Sequence, residues 1–140
     1  MAAINLNTVR SIIETRLSNE FNFGQVIPIV FSNVDFDESI NDEFIQCVIN
    51  FGTNQYLTQN TTENTTNLIV GLITLDIFTK QGFGSGSNFI IGDRIRNLFN
   101  RIEVTGVRFD APIGPEIFQS TIEGKFQTQI RITFELYETI

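Results

Sequence analysis

Few residues in this sequence could do enzyme chemistry. The chain has no histidine and a single cysteine, Cys47. Nucleophiles that depend on a histidine base therefore cannot be built within one chain, and zinc sites made from cysteine and histidine are excluded for the same reason. Cys47 alternates with Ile45 and Ile49, so we interpret it as a small buried apolar residue. The sequence predicts no catalytic residue and no enzyme activity.

A glycine-rich segment, Gly82–Ser87, is the candidate for a phosphate-binding loop. It follows a predicted strand and precedes a predicted helix, which is the context that such loops require. The Walker pattern fails because no Lys-Ser or Lys-Thr pair opens the helix, and the dinucleotide fingerprint fails because its third glycine falls at Ser87. A flexible connection is favoured. A small nucleotide-binding domain that uses the Gly82–Gly86 turn is the less favoured alternative.

An acidic segment at Asp35, Asp37 and Glu38 could hold a hard cation such as calcium. It lacks the ligand spacing and the glycine of an EF-hand loop, so we favour a solvated loop or one that pairs with arginines of a neighbouring copy. Three arginines lie on the outer face of the second predicted helix: Arg94, Arg96 and Arg101. We predict no metal and no cofactor, and we expect these two charged groups to meet across an interface between copies.

The composition indicates one domain, 1–140, with a core rich in phenylalanine. The 140 residues are 41% hydrophobic and include 14 Phe and no Trp, and the net charge is -7. This acidity disfavours binding to phosphate backbones and to anionic membranes. The segment Met1–Asn5 lacks the features of a signal peptide, and the longest apolar run, Leu68–Phe78, is too short to span a bilayer. We therefore expect synthesis in the cytoplasm and no membrane partner.

Hydrophobic periodicity predicts two helices and about five strands. One helix is expected over about residues 8–20, capped by Asn7 or Thr8, and a second begins near Asn88 as its N-cap and continues to about residue 102. The strands are expected at about residues 26–34, 44–51, 67–79, 103–110 and 122–137. Pro28 suggests an edge position for the first strand. The order favours an α+β fold: a mostly antiparallel sheet with two helices packed on one face.

A polar stretch, 52–66, joins the second and third predicted strands and is too long for a tight hairpin. Its apolar content is almost limited to Tyr56 and Leu57. We interpret it as an arm that orders against a partner, with Tyr56 and Leu57 as anchors. A tolerated flexible insertion is the alternative.

The whole pattern resembles the tail terminator, or tail completion, proteins of long-tailed bacteriophages. The features that carry the resemblance are hydrophobicity and turn placement along nearly the full chain, not catalytic signatures. After the N-terminal helix they are Pro28–Phe36, Leu75–Thr79 running into the glycine turn, Ile91–Phe99, Val107–Phe109 and the alternating strand from Phe126.

This resemblance implies a structural virion protein. Such proteins form a ring, typically hexameric, that caps the tail tube, ends its growth and presents the joining surface for the head connector. The implied partners are further copies of the chain, the tail tube protein and a head-tail connector or neck protein, while genome DNA passes through without specific binding. The implied location is the head-proximal end of the virion tail, after synthesis in the host bacterial cytoplasm. Another phage neck or tail-tube subunit is the alternative.

Overall fold

The computed structural model describes residues 5–37, 41–56 and 66–139, and this part of the chain forms two helices and a seven-stranded sheet. The helices are α1, Leu6–Phe21, and α2, Gly86–Phe99. The strands are β1 Ile29–Phe31, β2 Phe44–Tyr56, β3 Thr66–Lys80, β4 Glu103–Val104, β5 Val107–Phe109, β6 Ile113–Phe118 and β7 Lys125–Thr139.

The strands lie in the order β1-β2-β3-β7-β5-β4, and β6 also pairs with β7. Only the β1–β2 pair is parallel among the described strands, and β1 is an edge strand, as Pro28 indicates. Strands β2, β3 and β7 form the antiparallel centre, where Ile77 lies between Ile45 and Thr128. The prediction of an α+β fold with a mostly antiparallel sheet is confirmed.

One face of the sheet carries the core because apolar residues alternate along its long strands. On β7 the buried residues are Ile130, Ile132, Phe134 and Leu136, and on β3 they include Ile73, Leu75 and Ile77. At Gly71 a side chain would not fit, since a Cβ there would lie 2.1 Å from Cζ of Phe134. The Phe134 ring therefore covers the middle of β3.

Both helices pack on this face. Helix α1 buries every fourth residue, Val9, Ile13, Leu17 and Phe21, and α2 buries Ile91, Ile95 and Phe99. The residue that caps α1 is Asn5, whose Oδ1 accepts a hydrogen bond from the Thr8 amide at 2.8 Å, rather than Asn7 or Thr8. The helices are joined where Arg16 Nε donates to the Leu98 carbonyl at 3.0 Å.

Asn88 is not the N-cap of α2, as the sequence predicts; that position is held by Ser85. Asn88 is fully buried in the first turn. Its Oδ1 accepts from Thr79 Oγ1 at 2.6 Å, and its Nδ2 donates to the Ile77 carbonyl at 3.2 Å and to Thr128 Oγ1 at 3.3 Å. The side chain therefore fixes the start of α2 to β3 and β7.

The shorter strands differ from the prediction. The strand expected over 26–34 is reduced to β1, and that expected over 103–110 is two short strands around a turn at Thr105 and Gly106. The segment with Pro112, Gly114 and Pro115, which has the composition of a turn, leads into and forms part of β6. Strand β2 continues past a register shift between Phe51 and Asn54 to Tyr56, so the polar stretch begins as strand, while 57–65 lie outside the described residues.

Replacing Asn88 by alanine should destabilise the domain by about 2–3 kcal/mol, because buried partners on Thr79 and Ile77 lose their hydrogen bonds. Urea unfolding would measure the change. Asn97→Ala, an exposed position of the same helix, is the control and should change stability by less than about 0.5 kcal/mol. Equal stability of the two variants would contradict a role for Asn88 in holding α2.

Candidate functional site

The cysteine is chemically protected. Cys47 is buried on β2, as the sequence predicts. Burial raises the pKa of its thiol from an ordinary value of 9.0 to about 12, with a smaller contribution from the negative charge of Glu14. Because the thiolate is the nucleophilic form, the thiol is unreactive near neutral pH.

Within residues 5–37, 41–56 and 66–139, no group of three or more cysteine, aspartate or glutamate side chains is arranged to hold a metal ion. The two acidic residues of the predicted cation loop that are described, Asp35 and Asp37, are exposed on the connection between β1 and β2. Asn41 Nδ2 donates to the Asp37 carbonyl at 2.9 Å. Glu38 lies outside the described residues.

The glycine turn between β3 and α2 does not have the electrostatics of a phosphate site. The Lys80 ammonium lies 5.2 Å from the centre of the exposed Phe83 ring. The shallow depression beside this turn is also lined by Asp42 and Glu43. A phosphate bound there would meet two carboxylates, and their repulsion opposes the attraction of Lys80 and of the α2 N-terminus.

Arg94 makes its hydrogen bonds within the chain. Its Nη2 donates to the carbonyls of Glu20 at 2.7 Å and Phe23 at 3.0 Å, and its Nη1 donates to the carbonyl of Gln25 at 2.8 Å. Its Nε contacts Glu20 Oε1 at 3.2 Å, and the guanidinium lies 4.3 Å from the centre of the Phe21 ring. Arg94 therefore fixes the connection from α1 to β1.

Arg96 has a similar internal role on the other side of α2. Its Nη1 donates to the carbonyls of Pro112 at 2.8 Å and Gly114 at 2.9 Å, which fixes the bend that leads into β6. Arg101 follows α2 with a φ of 53° and is exposed. Among the ion pairs of the described residues, none joins Asp35 to these arginines.

The predicted arm is described only at its root. Tyr56 is the last residue of β2 and lies opposite Asn67 of β3. Leu57 lies outside the described residues. The role of Tyr56 and Leu57 as anchors stays a prediction.

Exposed apolar side chains at the two edges of the sheet are the feature that sequence reasoning missed. At one edge they come from β6, where Ile113, Ile117 and Phe118 are exposed. At the other they are Leu6, at the start of α1, and Val34, after β1. In the sequence, the β6 residues form the run Ile113–Phe118. The glycine and the proline in this run have the composition of a turn, so it does not read as a strand.

We expect Cys47 in the folded protein to resist iodoacetamide at pH 8 and to react freely in urea, because only unfolding exposes the thiol. Mass spectrometry would follow the modification. Phe23→Cys, at a side chain that is 80% exposed, is the positive control. Modification of native Cys47 as fast as the control would contradict its burial.

The raised pKa also makes folding depend on pH. As the pH rises above 9, the unfolded chain loses the thiol proton before the folded chain does, so the free energy of unfolding falls between pH 9 and about 12.

Arg94→Lys should destabilise the domain by about 2 kcal/mol, since one nitrogen cannot occupy the positions of both Nη1 and Nη2 and an ammonium has no plane to stack on Phe21. Thermal and urea unfolding would measure this. Arg101→Lys makes the same substitution at an exposed position and should have no measurable effect. Indistinguishable unfolding of both variants would show that the Arg94 contacts are energetically unimportant.

Comparison with known proteins gives the fold and no family. No protein-family model matches the chain, and no curated protein matches it. Fourteen chains of solved structures are similar. One of them, a protein whose name states no function, superposes with a TM-score of 0.72 at 13% sequence identity, covering 95% of this chain and 96% of that chain. At this identity the similarity shows a shared architecture over nearly the whole length of both chains.

Proposed function

We propose that this chain is a phage tail terminator: a structural virion protein that caps the tail tube as a ring of identical subunits, ends tube growth and offers the joining surface to the head connector. Its action is binding and geometry, with no bond chemistry. The partners are further copies of the chain, the tail tube protein and a connector or neck protein.

The observation that carries this proposal is that the segments resembling the terminator family fall, in order, on elements of one folded unit. Pro28–Phe36 contains β1, Leu75–Thr79 is the end of β3 before the glycine turn, and Ile91–Phe99 lies within α2. The alternating strand from Phe126 is β7, which joins the two halves of the sheet. If the hydrophobic pattern resembled the family by chance, nothing would make its segments coincide, in order, with successive elements of one core.

The chemistry of the described residues favours a binding role over a catalytic one. Cys47 is buried with a raised pKa, and the glycine turn is flanked by Asp42 and Glu43. Neither feature favours nucleophilic catalysis or phosphate binding. In the described segments, no helix is both long enough and apolar enough to cross a bilayer.

The net charge of -7 also suits a subunit that surrounds a DNA path. Affinity for DNA without sequence preference depends on lysine and arginine contacts with phosphates. An acidic ring would repel those phosphates, so genome DNA could pass without being held.

The proposal predicts that the purified protein, alone or on tail tubes, forms closed rings of uniform size. Native mass spectrometry and negative-stain electron microscopy would show the copy number and shape. Added to polymerising tail tube protein, it should stop elongation and appear at one tube end. A chain that polymerises into tubes by itself would instead be a tube subunit, and failure to bind tubes in any form would refute the terminator role.

Titration calorimetry with ATP, GTP and NAD tests the enzyme-class alternative, and we expect no specific heat of binding. Gly84→Val is the matched variant, because Gly84 has a φ of +80° that a β-branched residue rarely adopts. Micromolar binding that this variant abolishes would favour a nucleotide-binding domain instead.

A further inference from the structure

The β6 edge of the sheet carries exposed apolar side chains on both faces. Ile117 lies opposite Thr128, which bonds to α2, so Ile117 is on the helix side. Phe118 lies opposite Gln127 and therefore points to the other face, because successive strand residues alternate. Ile117 is 64% exposed and Ile113 is 54% exposed, which leaves this edge uncovered in a single copy.

Phe89 extends this exposed surface along α2. It precedes Gly92 by three residues and Arg96 by seven, so the three lie on one side of the helix. That side packs on β6: a Cβ at Gly92 would lie 2.5 Å from Pro115 Cγ, and Arg96 bonds to the Gly114 carbonyl. These contacts hold the surface in a fixed shape, which lowers the entropy cost of binding. We define the β6 ridge as Phe89, Ile113, Ile117 and Phe118.

The opposite edge of the sheet has an apolar depression, between the N-terminal half of α1 and strands β1 and β2. Of the residues that line it, Cys47 is buried and the others are partly buried or exposed, so the depression is accessible from solvent. We define the β1 depression by its accessible apolar lining, which is Leu6, Phe31, Val34, Ile49 and Phe51.

Each of these two surfaces is bordered by an ion pair within the chain. Glu116 contacts Arg131 at 2.8 Å beside the ridge, and Arg10 contacts Glu14 at 2.8 Å beside the depression. Copies of a chain with a net charge of -7 repel one another. Contact at these two edges brings together charges that are already paired within each copy. Contact through the acidic connection between β1 and β2, which contains Asp35, would instead bring negative charges close to one another and cause repulsion.

The exposed area of the ridge is suited to the centre of a stable interface. Side chains of this size offer about 150–250 Å² each, so the exposed fractions of the four ridge residues correspond to about 400 Å² of apolar surface. A standard interface buries about 800 Å² on each partner, of which somewhat more than half is apolar. The ridge therefore supplies nearly the whole apolar part of one such surface.

We infer that the β6 ridge of one copy occupies the β1 depression of a second copy. The two surfaces differ and lie on opposite edges of one sheet, so each copy can contact one neighbour at each edge. Contacts of this heterologous kind form a ring when the rotation between neighbouring copies closes, and an open filament when it does not. The inference rests on the proposed function and deepens it, because it names the pair of surfaces through which the ring forms.

Cross-linking of variants that each add one exposed cysteine to the buried Cys47 tests this pairing. We expect a mixture of Ile117→Cys and Val34→Cys to give covalent dimers with a bismaleimide, while either variant alone gives none. The two substitutions together in one chain should give a ladder that ends at the ring size. The unsubstituted protein, with its buried Cys47, and a mixture of Ile117→Cys with Phe23→Cys are the negative controls.

Three results would overturn the inference. Dimers from Ile117→Cys alone would indicate a two-fold contact between ridges. Rings without cross-links in the mixture would place the interface elsewhere and leave the proposed function standing. Monomers at every concentration, with and without tail tubes, would refute the ring and the terminator role together.

Sedimentation of Ile117→Asp gives a second readout. Burying an unpaired carboxylate in the depression should weaken association at least tenfold. Phe23→Asp, at a more exposed phenylalanine outside both surfaces, should associate like the native protein. Circular dichroism should show both variants folded, because both side chains are largely exposed in one copy. Equal weakening by the two substitutions, or none by Ile117→Asp, would contradict the ridge as an interface.

Discussion

The pairing of β3 with β7 is the constraint on which the rest of the structure depends. Each strand has 15 residues, and they pair in register from Thr66 opposite Thr139 to Lys80 opposite Lys125. A shift of one residue would turn the whole apolar side of β7 away from the helices, so burial of Ile130 and Phe134 fixes the register. Strands β2, β5 and β6 pair with β3 or β7, helix α2 packs on both, and α1 packs on α2 and β1 within the same core.

The arginines of α2 connect that core to its periphery. Arg94 fixes the connection that precedes β1, and Arg96 fixes the bend that precedes β6. Their guanidinium groups therefore set the position of both sheet edges from one helix. Because all three nitrogens of the Arg94 guanidinium already have partners, a charge-based contact between copies through Arg94 would compete with these bonds. Apolar contact at the edges has no such cost, which is why we favour it over pairing with the acidic connection.

The elements that sequence reasoning predicted well are those with sustained periodicity. The period of two along β7 and of about four along α1 each follow from one buried face, so type and position could be read directly. The sequence could not reveal β6, because Gly114 and Pro115 have the composition of a turn. Nor could the sequence show whether Asn88 caps α2 or lies buried and bonds to the sheet. Both roles use the same side-chain amide, and only the position of β3 and β7 relative to the helix decides between them. The internal partners of Arg94 are 69 to 74 residues away in sequence and carry no local pattern.

An edge strand with exposed apolar residues is a template for uncontrolled pairing between chains, and β6 has features that oppose this. Pro115 lacks an amide donor, and the pairing register with β7 shifts between Ile113 and Glu116. A neighbour therefore cannot extend the sheet by a regular backbone ladder along β6 and must be recognised through side chains. Side-chain recognition requires a shaped partner surface, and the β1 depression of another copy has one. On the proposed function, this distinction matters because a subunit that ends tube growth must associate with a fixed number of neighbours and then stop.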